Sequence, residues 1–223
     1  MKKILIIAPH PDDETLGVGG TILKHKNNGD EVHWLIITNV SKDNGWTSKQ
    51  IEQRQLDIDV VGKAYGFKSI SKLDFPTIKL DTIPMYDLVS KISSAIDLIK
   101  PNIIYTNNAN DIHTDHQVTF QAVLSSTKNF RAPYIEKILV YETISETEFS
   151  VEKNIYGFQP NVFIDVTNYF HNKCKIMKIY SNELMKSPLP RSIRAIKALG
   201  KYRGSRIGVK YAESFMLVFQ KDN

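Results

Sequence analysis

Apolar runs alternate along this chain with longer stretches in which apolar residues recur every three or four positions. Ile4 to Ala8 is an uninterrupted apolar run that reads as a strand buried on both faces. A glycine-containing helical stretch follows and ends near Asn28-Gly29. Glu31 to Thr38, rich in Val, Ile and Trp, reads as a second strand. From about Thr47 to Phe67 the pattern is helical, with Ile51, Leu56 and Val60 near helical spacing and Gly66 as a stop. Met85 to Lys100 predicts another helix, ended by Pro101. Ile103 to Thr106, Lys137 to Tyr141, Val162 to Val166 and Phe215 to Phe219 supply further strands. Strand and helix in alternation predict an α/β fold, a mostly parallel sheet covered by helices on both faces. No repeat, low-complexity tract or linker divides residues 1–223, so a single domain is expected. In such sheets ligands bind beyond the carboxyl ends of the strands, and the chemistry is to be sought there.

Two polar clusters sit at such strand ends. Pro9-His10-Pro11-Asp12-Asp13-Glu14 directly follows the first strand. Imidazole and carboxylate suit a borderline divalent metal such as zinc. His10 and Asp13 are three residues apart, so a turn between strand and helix can aim both at one point, leaving Asp12 for acid–base work. Capping of the next helix by Asp12 or Asp13 is the bland alternative, but a cap needs one carboxylate and no histidine. The second cluster, His113-Thr114-Asp115-His116, follows Ile103 to Thr106 and the polar loop Asn107 to Ile112. One of its histidines can complete a His-Asp-His site with a position open for water. The other can stabilise developing negative charge, with Asp115 fixing its orientation and keeping it protonated. Gly17-Val18-Gly19-Gly20 has the wrong spacing for a dinucleotide loop and reads as close helix–sheet packing. His25, His33 and His171 read as ordinary, His25 on a polar helix face.

Composition narrows the setting. The single cysteine, Cys174, rules out an intrachain disulfide and an all-cysteine metal site and fits a reducing cytoplasm, where the protein is expected to stay. Its surroundings offer no turn to present a nucleophile, so it reads as a packing residue. The amino-terminal apolar run is too short for a signal peptide, and no segment approaches a transmembrane span. Between Glu183 and Glu213 lie eight bases and no acid; removing them from the net charge of +5 leaves the rest of the chain at −3. Such a segment suggests an anionic partner, although Ile193, Ile196 and Leu199 at helical spacing favour a solvated amphipathic helix. Nucleic acid is disfavoured, because aromatics for base stacking are not interleaved.

These motifs resemble the PIG-L-type, LmbE-like N-deacetylases. The resemblance rests on Pro9 to Glu14, on His113 to His116, on Arg54 in Arg54-Gln55-Leu56-Asp57, and on the ending Arg203 to Phe215. It implies a Rossmann-like three-layer sandwich, one zinc ion or another divalent metal, and hydrolysis of an N-acetyl group from a small N-acetylglucosamine-type conjugate. Position by position, it implies ligation by His10, Asp13 and His116, with Asp12 as general base. His113 would act on the oxyanion and leaving amine, and Arg54 would contact the sugar. Thr114 replaces a residue commonly proline and is expected to cap the helix. Asn39 to Gly45 and Asp57 also depart from the family pattern and leave the group attached to the sugar open; a homo-oligomer is left open separately. Two rivals remain: a non-haem iron oxygenase, given two histidines and a carboxylate, and a non-catalytic sugar-binding module on the same fold.

Overall fold

A computed structural model describes residues 1–150 and 157–222. Strand β1 (Lys3–Ala8) is buried along all but its first residue and is stopped by Pro9. Helix α1 (Asp13–Asn27) leads to a turn in which Gly29 takes φ 80, a conformation glycine adopts without strain. β2 (Glu31–Asn39) pairs in parallel with β1. Helix α2 (Ser48–Tyr65) begins with a capping box between Thr47 and Gln50 and ends on left-handed Gly66. β3 (Ser69–Pro76), α3 (Met85–Ile99), β4 (Ile103–Thr106), α4 (Thr114–Ser126) and β5 (Lys137–Tyr141) continue the alternation. The chain closes with β6 (Val162–Asp165), α5 (Phe170–Met177), α6 (Ile193–Ser205) and β7 (Ala212–Gln220).

The sheet runs β3-β2-β1-β4-β5-β7-β6. Five strands are parallel, and β7 lies antiparallel to both β5 and β6. Alternate residues of β1 feed two cores. Ile4, Ile6 and Ala8 face α1, α2, α5 and α6, whereas Leu5 and Ile7 face α3 and α4. A strand so enclosed must be apolar on both sides, which is why its sequence does not alternate. The expected α/β architecture with helices on both faces is therefore present.

β3 is the strand that the sequence pattern did not yield. Its side chains alternate between partly covered and exposed, and only Phe75 is buried. It is an edge strand, and an edge needs no apolar run to hold it. The glycines of α1 serve close packing, as expected. A Cβ on Gly17 would stand 2.3 Å from the Tyr141 ring, and one on Gly20 would stand 2.7 Å from Val166 Cβ. Cys174 is buried, with burial raising its thiol pKa, as suits a packing residue. No described helix is long and apolar enough to cross a membrane.

Candidate metal centre

Strand order reverses between β1 and β4, and a crevice opens beyond the carboxyl ends of strands at such a point. The turn after β1 and the loop after β4 both enter it. Three donor atoms meet there. His10 Nδ1 lies 3.4 Å from Asp13 Oδ2, His116 Nε2 lies 3.3 Å from the same oxygen, and the two nitrogens are 3.3 Å apart. A tetrahedral ion with ligands at about 2.0–2.1 Å separates its donors by roughly 3.3–3.4 Å. The three atoms thus fit one face of a zinc tetrahedron, and the three residues line one cavity.

Each candidate ligand is held from behind. Asp13 Oδ2 also accepts the His10 backbone N–H at 2.8 Å. The far nitrogen of His10, Nε2, meets Asp115 Oδ2 at 2.9 Å, and Asp115 also accepts the N–H groups of Ile78 (2.7 Å) and Leu80 (3.1 Å). His116 Nδ1 meets Asp111 Oδ2 at 2.8 Å, and Asp111 Oδ1 accepts from Thr147 Oγ1 at 2.6 Å and Asn108 Nδ2 at 3.2 Å. Metal-bound histidines ordinarily have such a carboxylate on the second ring nitrogen. His10, His113 and Asp115 form a second compact donor group. It suits an ion poorly, because both oxygens of Asp115 already serve the backbone and His10.

Electrostatics agree with a cation at this point. Burial raises the pKa of Asp13, but the two histidines outweigh it and hold the carboxyl below the usual range. Burial lowers His10, but its bonds to Asp115 and Asp13 prevail and raise it to about 9. Asp12 behaves differently. Its burial and the charges of Asp13 and Glu183 push its carboxyl well above the ordinary value, against Arg54 and Arg191.

Asp12 does not cap α1, since its side chain makes no capping hydrogen bond. It has φ 126, a strained conformation for a residue with a Cβ. Glu14, wholly buried, accepts the Asp12 N–H at 3.0 Å and the Tyr180 hydroxyl at 2.9 Å. The Asp12 side chain lines the cavity, with Arg191 Nη1 3.4 Å from its Oδ2.

Three expectations need correction. Asp115 does not orient His113: its carboxylate goes to His10, and only its backbone N–H reaches His113, donating to Nδ1 at 3.1 Å. Nor is His113 kept protonated. Burial, with the charges of His10 and His116, lowers it to about 4, and with Nδ1 accepting, the proton of the neutral ring sits on Nε2. His113, not Thr114, also occupies the helix cap, since that contact caps α4. Away from the site, His25 is not on a polar face. Its ring is largely buried between Asp30 (2.8 Å) and the Tyr105 hydroxyl (3.0 Å).

The cavity measures about 270 Å³ and is lined by His10, Asp12, Asp13, His113 and His116 together with Trp46, Arg54, Ile78, Glu146, Glu183 and Arg191. Arg54 enters as expected, but its donors are partly engaged: Nη1 donates to the Pro11 carbonyl at 2.9 Å and Nη2 pairs with Glu183. Glu183 also accepts from Arg191 Nη1 at 3.1 Å. Of the basic segment 186–210, Arg191 alone among the described residues lines this cavity. Arg203 is clamped bidentately on Glu142 at 2.8 and 2.7 Å. Arg194, Lys197 and Lys201 are exposed on α6, as a solvated helix requires. Asp111, Glu183 and Ile78 were missed in the sequence. The carboxylate five residues before His116 was the one available signal.

This fold with paired histidine–aspartate loops defines a class: the family model for PIG-L, GlcNAc-PI de-N-acetylase, matches residues 5–127, more than half of the chain. The chain belongs to that family. A diacetylchitobiose deacetylase of Thermococcus kodakarensis is 25% identical over 98% of this chain and 84% of its own length. A probable N-acetyl-alpha-D-glucosaminyl L-malate deacetylase 2 of Bacillus cereus is 26% identical over 77% of this chain and 79% of its own. The conserved protein TT1542 of Thermus thermophilus superposes with a TM-score of 0.80 at 22% identity, over 100% of this chain and 97% of that one. The Thermococcus and Bacillus relatives are named as deacetylases, which are amide hydrolases, and the iron-oxygenase reading gives way to the family membership.

Proposed function

We propose that this chain hydrolyses the N-acetyl group of an N-acetylglucosamine-type amino-sugar conjugate, with zinc held by His10, Asp13 and His116. The observation that carries the reading is the triangle of donor atoms, 3.3 to 3.4 Å on a side, at a cavity that also presents the unligated Asp12. What a divalent ion supplies in such a site is an acidified water and a polarised acyl carbonyl. Asp12 is the base that takes the water's proton, and burial with the neighbouring charges of Asp13 and Glu183 raises its pKa, which strengthens it as a proton acceptor. Neutral His113 offers its Nε2–H to the carbonyl oxygen as negative charge develops there. A neutral imidazole is a poor source of a second proton, so Asp12 is also the group that hands one to the departing amine. Arg54 and Arg191, joined through Glu183, border the space left for the sugar.

The test is acetate release from diacetylchitobiose and other N-acetylglucosamine conjugates by the zinc-loaded protein. Loss of a positioned acid–base group costs about 10²–10⁴ in rate. Asp12→Ala is expected to lose at least that much activity while keeping its zinc. Undiminished turnover in that variant removes Asp12 from the mechanism. A protein that binds these sugars but releases no acetate is the non-catalytic module instead.

A further inference from the structure

Ile78 has φ 63, in the left-handed region where a β-branched residue is an outlier. Glycine or asparagine would take that conformation with far less strain. The backbone there has a clear task, because the N–H groups of Ile78 and Leu80 fix the carboxylate of Asp115, which in turn holds His10. That task accounts for the conformation and leaves the isoleucine unexplained, since any residue with an N–H would serve and glycine would serve best. The side chain does not compensate by packing. It is 63% exposed and lines the cavity beside His10 and His113. Strain retained at a site where the side chain gains little from the fold itself points to function.

We propose that Ile78 is a substrate-contacting residue, an apolar platform against which the C–H face of the amino-sugar ring packs beside the metal centre. The inference rests on reading the cavity as an amino-sugar site. Trp46 and Val40 line the same cavity and extend its apolar surface. Because the backbone of residue 78 holds Asp115 while its side chain meets the sugar, one residue ties the orientation of a metal ligand to recognition of the substrate.

The experiment uses Ile78→Gly, Ile78→Asn and Ile78→Val. Binding of diacetylchitobiose is read from tryptophan fluorescence in an Asp12→Ala background loaded with zinc, where turnover does not interfere. Removing an apolar side chain from a contact of this size weakens binding about tenfold. The Gly and Asn variants are expected to show that rise in Kd, with zinc content unaltered and a thermal midpoint unchanged or higher. Ile78→Val should bind within about twofold of its parent, since little apolar surface is lost. A merely structural role predicts the reverse, a lowered midpoint with Kd unchanged. Kd within twofold of the parent in both the Gly and Asn variants overturns the proposal, as does a parent that binds no sugar. Should the sugar bind and the variants weaken it while zinc-loaded protein with Asp12 intact releases no acetate, the hydrolase reading fails and the platform stands.

Discussion

Asp111→Asn offers a sharp test of the metal centre, because it leaves every proposed ligand in place. Asp111 is fully buried, and both its oxygens are used. Oδ2 receives His116 Nδ1, which fixes that ring's tautomer and leaves the Nε2 lone pair for an ion between it, Asp13 and His10. Oδ1 receives both the Thr147 hydroxyl and the Asn108 amide. Thr147 Oγ1 already accepts the Thr143 N–H at 2.8 Å, so its hydrogen is directed at Asp111. An asparagine has one acceptor oxygen for this set of donors. If that oxygen faces His116, the amide nitrogen confronts the Asn108 nitrogen; if it faces Asn108, the nitrogen confronts the His116 N–H. In either case the imidazole loses the anionic partner that raises its basicity. Losses of this kind weaken metal binding about 10- to 100-fold, or about 1.4–2.7 kcal/mol. The assay is a zinc titration against a chromophoric chelator, with circular dichroism to establish that the fold persists. His116→Ala, by contrast, should remove stoichiometric zinc altogether. A folded Asp111→Asn protein with zinc affinity within twofold of wild type would refute the reasoning.

Three further outcomes are expected. Gly17→Ala, favourable by about 0.5–1 kcal/mol at an open helical position, should here destabilise by about 1–3 kcal/mol, because its Cβ meets the Tyr141 ring at 2.3 Å; an unchanged urea midpoint would contradict this. His25 is largely buried, and that burial holds its pKa below the ordinary histidine value despite Asp30, so the unfolded chain takes up that proton first as pH falls below about 6.5. Its contribution to stability is full above that pH and declines toward the folded pKa, so His25→Gln should lose less stability than wild type between pH 7.5 and 5.5, and equal losses by chemical denaturation would exclude it. Replacing exposed Arg194 and Lys197 together by glutamine should leave KM for the amino sugar unaltered, whereas Arg191→Gln should raise it; kinetics on the two proteins decide the point.

How much of this was legible in the sequence follows from the range over which each interaction acts. β1, β2, β4 and β5 announced themselves because burial on both faces demands unbroken apolar runs, and helix ends at Gly66 and Pro101 are local chemistry. β3 was not legible, since an edge strand is held by backbone bonds to β2 and little else. At the site, His10, Asp13 and His116 could be picked out because clusters of ligating side chains at strand ends are rare. The partners behind them could not. Asp115 is two residues from His113 and 105 from His10, yet its carboxylate serves the distant ring, because the turn through Ile78 and Leu80 fixes where those oxygens point.

Asp12 shows the same dependence at the longest range. The matched family region ends at residue 127, but what holds the proposed base comes largely from beyond it. Tyr180 bonds to Glu14, whose other oxygen receives the N–H of strained Asp12, and Glu183 links Arg54 to Arg191 beside the Asp12 carboxyl. An aspartate at positive φ persists only where its surroundings over-determine it. Here Tyr180 fixes the backbone through Glu14 and Arg191 faces the side chain, and both come from the segment between α5 and α6. The basic run begins in that same stretch, so Arg191, which charge counting groups with seven other bases, is set apart by its place near Asp12. The amino-terminal motif thus supplies the base, and a stretch some 170 residues away governs its backbone angle and its charge environment.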